Sequence, residues 1–236
     1  MSAAALIIVP TYCERENLER IAGAALAALD GHLLVVDDAS PDGTGRLADA
    51  LAAADRRIHV LHRRGAERGL GCAYRDAFSW ALARDYRYLL QLDADFSHPP
   101  AELPRLRAAA ADADLVIGSR YVPGGSTPDW PWHRRLISQG GSFYARTVLG
   151  LGIRDVTGGF KCWRAEALRR LRPKRTAARG FAFQIEMNHR ALAAGLRVIE
   201  VPIAFRDRTR GRSKMSARIF AEGLAAVWRI RLAGWR

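Results

Sequence analysis

Short apolar runs alternate with helix-patterned segments through the first half of this chain, and most of the runs stop at a polar cluster. The runs occupy residues 6–10 (LIIVP), 32–36, 58–61, 88–92 and 115–118. Between them, residues 17–29 carry Leu18, Ile21, Ala25 and Leu29 at helical spacing. Residues 43–54 and 101–110 read as further helices, and 70–83 place Ala73, Ala77, Trp80 and Ala81 on one side. A strand–helix alternation of this kind predicts an α/β fold, a mostly parallel central sheet with helices on both faces. The runs lack strict apolar–polar alternation, as expected for strands buried on both sides. Ligands of such sheets bind beyond the carboxyl ends of the strands, where the polar clusters fall.

The second half is less regular. Residues 121–133 (YVPGGSTPDWPWH) form a Gly-, Pro- and Trp-rich loop, and 134–149 a helix. Residues 156–163 (VTGGFKCW) read as a turn and strand, 183–194 as a helix and 196–204 as a strand. A basic loop at 206–214 (RDRTRGRSK) precedes an amphipathic helix over 217–233. A chain of 236 residues is long enough for a single well-packed domain. With no linker-like stretch, residues 1–214 are expected to form one catalytic domain, followed by a basic amphipathic C-terminal segment over 215–236.

Asp93-Ala94-Asp95 directly follows an apolar run. Two carboxylates two residues apart at a strand end can hold a hard divalent cation, which prefers oxygen ligands and shares its coordination with substrate phosphates. The same residues also suit a solvated turn. Asp37-Asp38 ends the second run, where a carboxylate can accept hydrogen bonds from a base or ribose, while Asp42-Gly43 reads as a turn that caps the next helix. After the first run stands PTYCE, where a dinucleotide fold would carry Gly-x-Gly-x-x-Gly, and its absence argues against hydride transfer. Gly69-Leu70-Gly71 follows the third strand instead and reads as a device for starting a helix.

Charge points to an anionic partner. Lys and Arg total 37 against 24 acids, a net +13, and Arg dominates. The guanidinium fork matches phosphate oxygens bidentately, although an Arg-rich surface alone produces the same composition. A nucleic-acid module is disfavoured, because the basic residues are scattered and there is no zinc spacing, basic zipper or aromatic RNA platform. Cys13, Cys72 and Cys162 are odd in number and far apart, which speaks against a disulfide framework and for a reducing compartment. The first residues lack a signal-peptide pattern, and no run approaches the ~18 apolar residues of a spanning helix.

In order along the chain, VPTYCERENL, VVDDASPDGT, LDADFSHPP and GSRYVPGG resemble glycosyltransferase family 2. GSRY, WPWHRRLIS, VTGGFKCW, GFAFQIEM and RTRGRSKM narrow the resemblance to its dolichol- and polyprenol-phosphate mannose synthases. The match covers about residues 5–220. It implies an A-type glycosyltransferase (nucleotide-diphosphosugar transferase) fold, GDP-mannose as donor, a polyprenyl or dolichyl phosphate as acceptor, and Mg²⁺ or Mn²⁺ as cofactor. Carried onto this chain, the resemblance implies nucleotide-sugar contacts at Pro10, Tyr12, Glu14, Val36, Asp38, Asp93 and Ala94. It implies metal ligation by Asp93 and Asp95, with Ser97 as a further ligand. Arg120 and Arg134 resemble the pair that grips the acceptor phosphate, with Arg135 an adjacent alternative. Arg208 and Lys214 resemble basic residues that close over the donor. Asp95, Arg120 and Arg134 are thus the expected catalytic residues, and the expected reaction is inverting. The resemblance also admits other donors, such as glucose or N-acetylglucosamine, or a saccharide acceptor.

The acceptor's lipid tail implies an anionic membrane surface as partner and a peripheral position on the cytoplasmic face. Trp228 with Arg229 and Arg231 suits an interfacial helix, and equally a helix packed on the core with a basic outer side. Relatives that carry membrane spans in the same chain imply a separate membrane-embedded partner for a chain without them.

Overall fold

The computed structural model describes residues 4–65, 67–178, 180–207 and 217–233. Four strands and the helices between them open the chain: β1 (Ala5–Thr11), α1 (Arg15–Ala28), β2 (His32–Asp37), α2 (Thr44–Ala54), β3 (Ile58–His62), α3 (Leu70–Leu82) and β4 (Tyr88–Gln91). Then come α4 (Leu103–Ala109), β5 (Leu115–Ser119), α5 (Trp132–Leu149), β6 (Lys161–Arg164), α6 (Ala165–Leu171), α7 (Ala182–Ala193), β7 (Val198–Pro202) and α8 (Ala217–Ala233). The strands form one sheet in the order β3-β2-β1-β4-β6-β5-β7. All neighbours are parallel except β6, which runs antiparallel to both β4 and β5.

The sheet is buried on both faces, as the unbroken apolar runs require. Leu6 and Ile8 of β1 point into one core, with Leu34, Leu89, Ile117, Trp163 and residues of α3 and α7. Ile7 and Val9 point into the other, with Leu33, Leu90, Val116, Cys162 and residues of α1 and α4. Successive side chains leave a strand on opposite sides, so each strand feeds both cores. At ~25 cal/mol per Å² of apolar surface, each fully buried Leu or Ile contributes about 1.5–3 kcal/mol.

Several expected boundaries move for local reasons. Residues 101–110 divide into a 3-10 turn (Pro100–Glu102) and α4, because Pro104 lacks an N–H and is tolerated only in a first helical turn. Gly43 lies outside α2 with φ 88°, a left-handed conformation that suits glycine. Within the turn and strand expected over 156–163, the strand starts at Lys161, after Gly158-Gly159, and α6 directly follows it. The C-terminal α8 packs on α5 and α7, and Val227 is 1% exposed within the first core. Its other side exposes Trp228 and Leu232. No helix among the described residues is long and apolar enough to cross a membrane.

Candidate active site

The parallel strands deliver their following residues to one edge of the sheet. Tyr12 follows β1, Asp38 follows β2, Arg120 follows β5, and Asp93 lies just beyond β4. At β1 the sheet changes direction, with β2 on one side and β4 on the other, which opens a crevice at this edge. Three non-glycine residues in these loops have positive φ: Cys13 (55°), Ala39 (54°) and Phe96 (62°). Such backbone costs of order 1–3 kcal/mol per residue and persists where the surroundings over-determine it.

Hydrogen bonds stitch the first two loops together. The Cys13 amide donates to Ser40 Oγ at 3.0 Å, the Glu14 amide to Thr44 Oγ1 at 3.0 Å, and the Arg15 amide to Asp42 Oδ2 at 3.3 Å. Asp42 Oδ1 accepts from the Thr44 amide and hydroxyl, so Asp42, one residue before the N-cap Gly43, holds the turn that leads into α2. Tyr12 is 38% exposed at the crevice. Val36 and Ala94 are buried, Val36 within the first core and Ala94 within the second. Asp38 is buried too, and its carboxylate is engaged: Arg63 Nη1 donates to Oδ1 and the Gly69 amide to Oδ2 at 2.9 Å. Arg63 was not legible as a site residue, since it lies in a plain His-Arg-Arg-Gly run. Its Nε also reaches Asp76 Oδ2 at 2.6 Å and its Nη2 the Glu67 carbonyl at 2.9 Å.

Asp93 and Asp95 stand in the loop after β4. Asp95 Oδ1 accepts from the Ser97 amide at 3.1 Å and the Ser97 hydroxyl at 2.6 Å. Ser97 is 2% exposed, so its hydroxyl is a fixed support of the carboxylate. Asp93 Oδ2 lies 3.5 Å from Nδ1 of His98, a buried residue stacked on Phe160. Burial, opposed by nearby Asp95, pushes the His98 imidazole down to about 4, so it is neutral at pH 7. Among the described residues no group of three or more His, Cys, Asp or Glu forms a full metal cage. The all-oxygen donor set of two carboxylates fits a hard divalent cation that completes its shell from a bound diphosphate.

Arg120 is nearly buried and doubly bonded. Its Nε and Nη2 donate to the two carboxylate oxygens of Asp155, each at 2.7 Å, and Nη2 also donates to Thr157 Oγ1 at 2.8 Å. Burial works against the charge on Asp155, and Arg120 beside it more than compensates, holding the carboxyl below its usual range. The Arg120 guanidinium also lies 5.0, 5.6 and 5.4 Å from the ring centres of Tyr121, Trp130 and Phe205. Arg134 lies 4.1 Å from the same Trp130 ring and pairs with Asp207. The structure therefore brings Arg120 and Arg134 to one indole. Arg135 instead donates to the carbonyls of Thr127 and Pro128, which holds the loop in place.

The segment before the basic loop touches both halves of the site. The Arg206 amide donates to the Ser97 carbonyl at 3.2 Å, and Phe205 packs edge-on against His98 and Trp130. Arg208, Lys214 and the rest of the expected closing loop lie outside the described residues. Beneath the site, Lys161 is fully buried in the central sheet and donates to Gln184 Oε1 at 2.7 Å. Burial pushes its ammonium down to about 7.

A family model, "Glycosyl transferase family 2", matches residues 6–172. The chain is 49% identical over 231 residues to a polyprenol monophosphomannose synthase of Mycolicibacterium smegmatis, covering 96% of this chain and 87% of that protein. It is 48% identical to an undecaprenyl-phosphate mannosyltransferase of Micrococcus luteus, covering 97% and 94%. A dolichol-phosphate mannosyltransferase of Pyrococcus furiosus is 36% identical, over 95% of this chain and 62% of that protein. Among solved structures, glucosyl-3-phosphoglycerate synthase from Mycobacterium tuberculosis, in complex with Mn²⁺, UDP and glucosyl-3-phosphoglycerate, has a TM-score of 0.70 at 18% identity, covering 99% of this chain and 81% of that one. A mannosyltransferase from Pyrobaculum calidifontis, in complex with GDP-Man and Mn²⁺, has a TM-score of 0.61 at 19% identity, covering 100% and 66%. At these identities the structural likeness establishes the A-type glycosyltransferase fold.

Proposed function

On the premise that this chain belongs to glycosyl transferase family 2 and is a glycosyltransferase, we propose that it transfers mannose from GDP-mannose to a polyprenyl phosphate, with inversion at the anomeric carbon. The observation that carries the reading is that Arg120 and Arg134 meet at Trp130, on the sheet edge that also bears Asp93 and Asp95. Near full-length identity to two polyprenyl-phosphate mannose transferases supports the sugar and the acceptor class.

Each group then has a task. Asp38, held by Arg63 and the Gly69 amide, and the Pro10–Glu14 loop line the nucleotide's end of the crevice. Asp93 and Asp95 would hold the divalent cation, with Ser97 orienting Asp95. Bound there, Mg²⁺ or Mn²⁺ supplies Lewis-acid neutralisation of the departing diphosphate. Arg120, fixed by Asp155, and Arg134 receive the acceptor phosphate through charge-assisted bonds. A phosphomonoester has a second pKa of roughly 6, so at neutral pH its oxygen is already a nucleophile and no residue need remove a proton. That oxygen bonds to the anomeric carbon as the bond to the GDP oxygen breaks. In one displacement this gives the β-linked lipid phosphate sugar and GDP. Arg208 and Lys214, in the basic loop, are assigned to the donor phosphates. The enzyme works at the cytoplasmic face of the membrane, with α8 against the anionic headgroups and a membrane-embedded protein as its neighbour.

The test is transfer of labelled mannose from GDP-mannose into a lipid-extractable, mild-acid-labile product by purified protein, short polyprenyl phosphate and Mg²⁺ or Mn²⁺. Labelling that a chelator abolishes, with GDP-glucose and UDP-sugars inactive, is the expected result. Equal labelling from UDP-glucose would overturn the donor assignment, and labelling of a free saccharide in place of lipid would overturn the acceptor.

A further inference from the structure

A groove of about 720 Å³ runs from Arg120 along α5, and Arg120, Gln139, Ser142, Phe143, Arg146 and Arg154 are among the residues that line it. Three of its walls are arginines and no carboxylate lines it. The three differ in their commitments. Arg120 is spent on Asp155, whereas Arg146 and Arg154 make no side-chain ion pair among the described residues. At the floor, Ser142 is 2% exposed and its Oγ lacks a hydrogen-bond partner, and the buried Nε of Arg146 lacks one too. Buried donors without partners are uncommon and mark places where a ligand or ion belongs. The rim is apolar: Phe143 is 68% exposed, and Leu136 and Ile137 are exposed on the same helix.

We propose that this groove is a second anion site, in which Arg146, Arg154 and the Ser142 hydroxyl hold the phosphate headgroup of a lipid whose tail leaves over Phe143. Arg120 stands at one end of the groove, but the other member of the acceptor pair does not line it: Arg134 is committed to Trp130 and Asp207. A lining whose charged residues are all arginines calls for an anion, and the apolar rim calls for a hydrocarbon tail rather than a free ion. Two lipids offer this chemistry: the acceptor itself, held before it reaches Arg134, or an anionic phospholipid of the bilayer. The first source rests on the proposed function, and the second does not.

The experiment compares wild type with Arg146→Gln/Arg154→Gln, and with Arg56→Gln/Arg169→Gln, which removes equal charge at exposed positions outside the groove. One arm measures binding of each protein, without substrates, to vesicles of phosphatidylcholine with and without phosphatidylglycerol. Another measures the KM for short polyprenyl phosphate in phospholipid-free detergent. A third compares protection by inorganic phosphate and by short polyprenyl phosphate in thermal melts. The groove variant is expected to lose about tenfold in at least one lipid arm, with the remote variant near wild type. Loss confined to the detergent KM identifies the acceptor, and loss confined to phosphatidylglycerol vesicles identifies bilayer lipid. Protection by inorganic phosphate equal to that by lipid would overturn the requirement for a tail. Lipid binding by the groove variant equal to wild type, or equal losses in both variants, would overturn the site. Vesicle binding lost in the groove variant, with no mannose transfer by wild type, would leave the site standing while the proposed function fell.

Discussion

The two halves of the site are held in place by different means. On the β1–β4 side, Asp42 and Asp95 are fixed by nearby backbone amides and hydroxyls, those of Thr44 and Ser97, although Asp38 takes the distant Arg63 and Gly69 amide. On the β5–α5 side, long cationic side chains are fixed by partners far away in sequence: Arg120 by Asp155, 35 residues on, and Arg134 by Asp207, 73 residues on. A carboxylate that holds metal needs only a stiff loop. A guanidinium aimed at a phosphate must be restrained along a flexible stem, which takes a buried counter-ion or an aromatic wall. The contrast predicts that lesions on the first side remove chemistry and spare the fold, whereas those on the second divide according to burial.

The largest expected effect is that of Asp95→Ala. It should lower turnover by about a thousandfold or more, since the carboxylate supports charge neutralisation worth several kcal/mol in the transition state. Its thermal melt should stay close to wild type, and substantial metal-dependent turnover would remove Asp95 from the mechanism. Asp155→Asn should cost about 3–5 kcal/mol of stability in urea unfolding, because it leaves the Arg120 charge buried and unmatched. The Asp155 carboxyl is depressed in the folded state, so its stabilisation is complete above 3.8 and is lost as pH falls through the lower folded value. The gap between wild type and Asp155→Asn should therefore narrow in acid, and a gap independent of pH would contradict the ion pair.

Arg134→Ala should change stability by no more than about 1 kcal/mol, since both members of its ion pair are 41% exposed. It should raise the acceptor KM by roughly 10- to 100-fold, the loss of charge-assisted bonds, with donor KM unchanged. A donor-only effect would move Arg134 to the other half of the site. A separate effect, one of pH and not of turnover, belongs to Lys161→Met. The folded Lys161 titrates near 7 and the unfolded one near 10.5, so between those values the unfolded chain binds more protons and stability rises with pH. Wild type should gain on Lys161→Met between pH 7 and 10, and a constant difference in melting temperature across that range would contradict the buried ammonium.

The same division governed what the amino-acid order revealed. Strand–helix alternation, and the placement of Asp38, Asp93 and Asp95 at strand ends, are local patterns and were readable as such. Arg63, Asp155 and His98 were not. Asp155 precedes Val-Thr-Gly-Gly and looks like an ordinary turn acid, although its side chain is fully buried. Only the fold brings it to Arg120. The choice between Arg134 and Arg135 was likewise open in the sequence, because adjacent residues on a helix point in different directions. The loop carbonyls that occupy Arg135 come from residues whose path no periodicity describes. The strand at β6 was readable, but its antiparallel direction was not, because four residues carry no pattern that fixes which way a strand runs in the sheet.

That short strand has a consequence for how the chain assembles. The parallel patch β3-β2-β1-β4 is complete once residue 91 has formed, but β5 has no strand neighbour until β6 supplies one. Among the described residues, β6 alone joins β5 and β7 to the rest of the sheet. Contacts of high sequence separation form slowly, because loop closure must come before them. During synthesis the donor-side strands can settle early, while Leu115–Ser119 waits with unpaired backbone until the stretch at Lys161–Arg164 leaves the ribosome. A chain cut before residue 161 would keep β1 to β4 and present β5 as an open edge, the kind of surface on which aggregation begins.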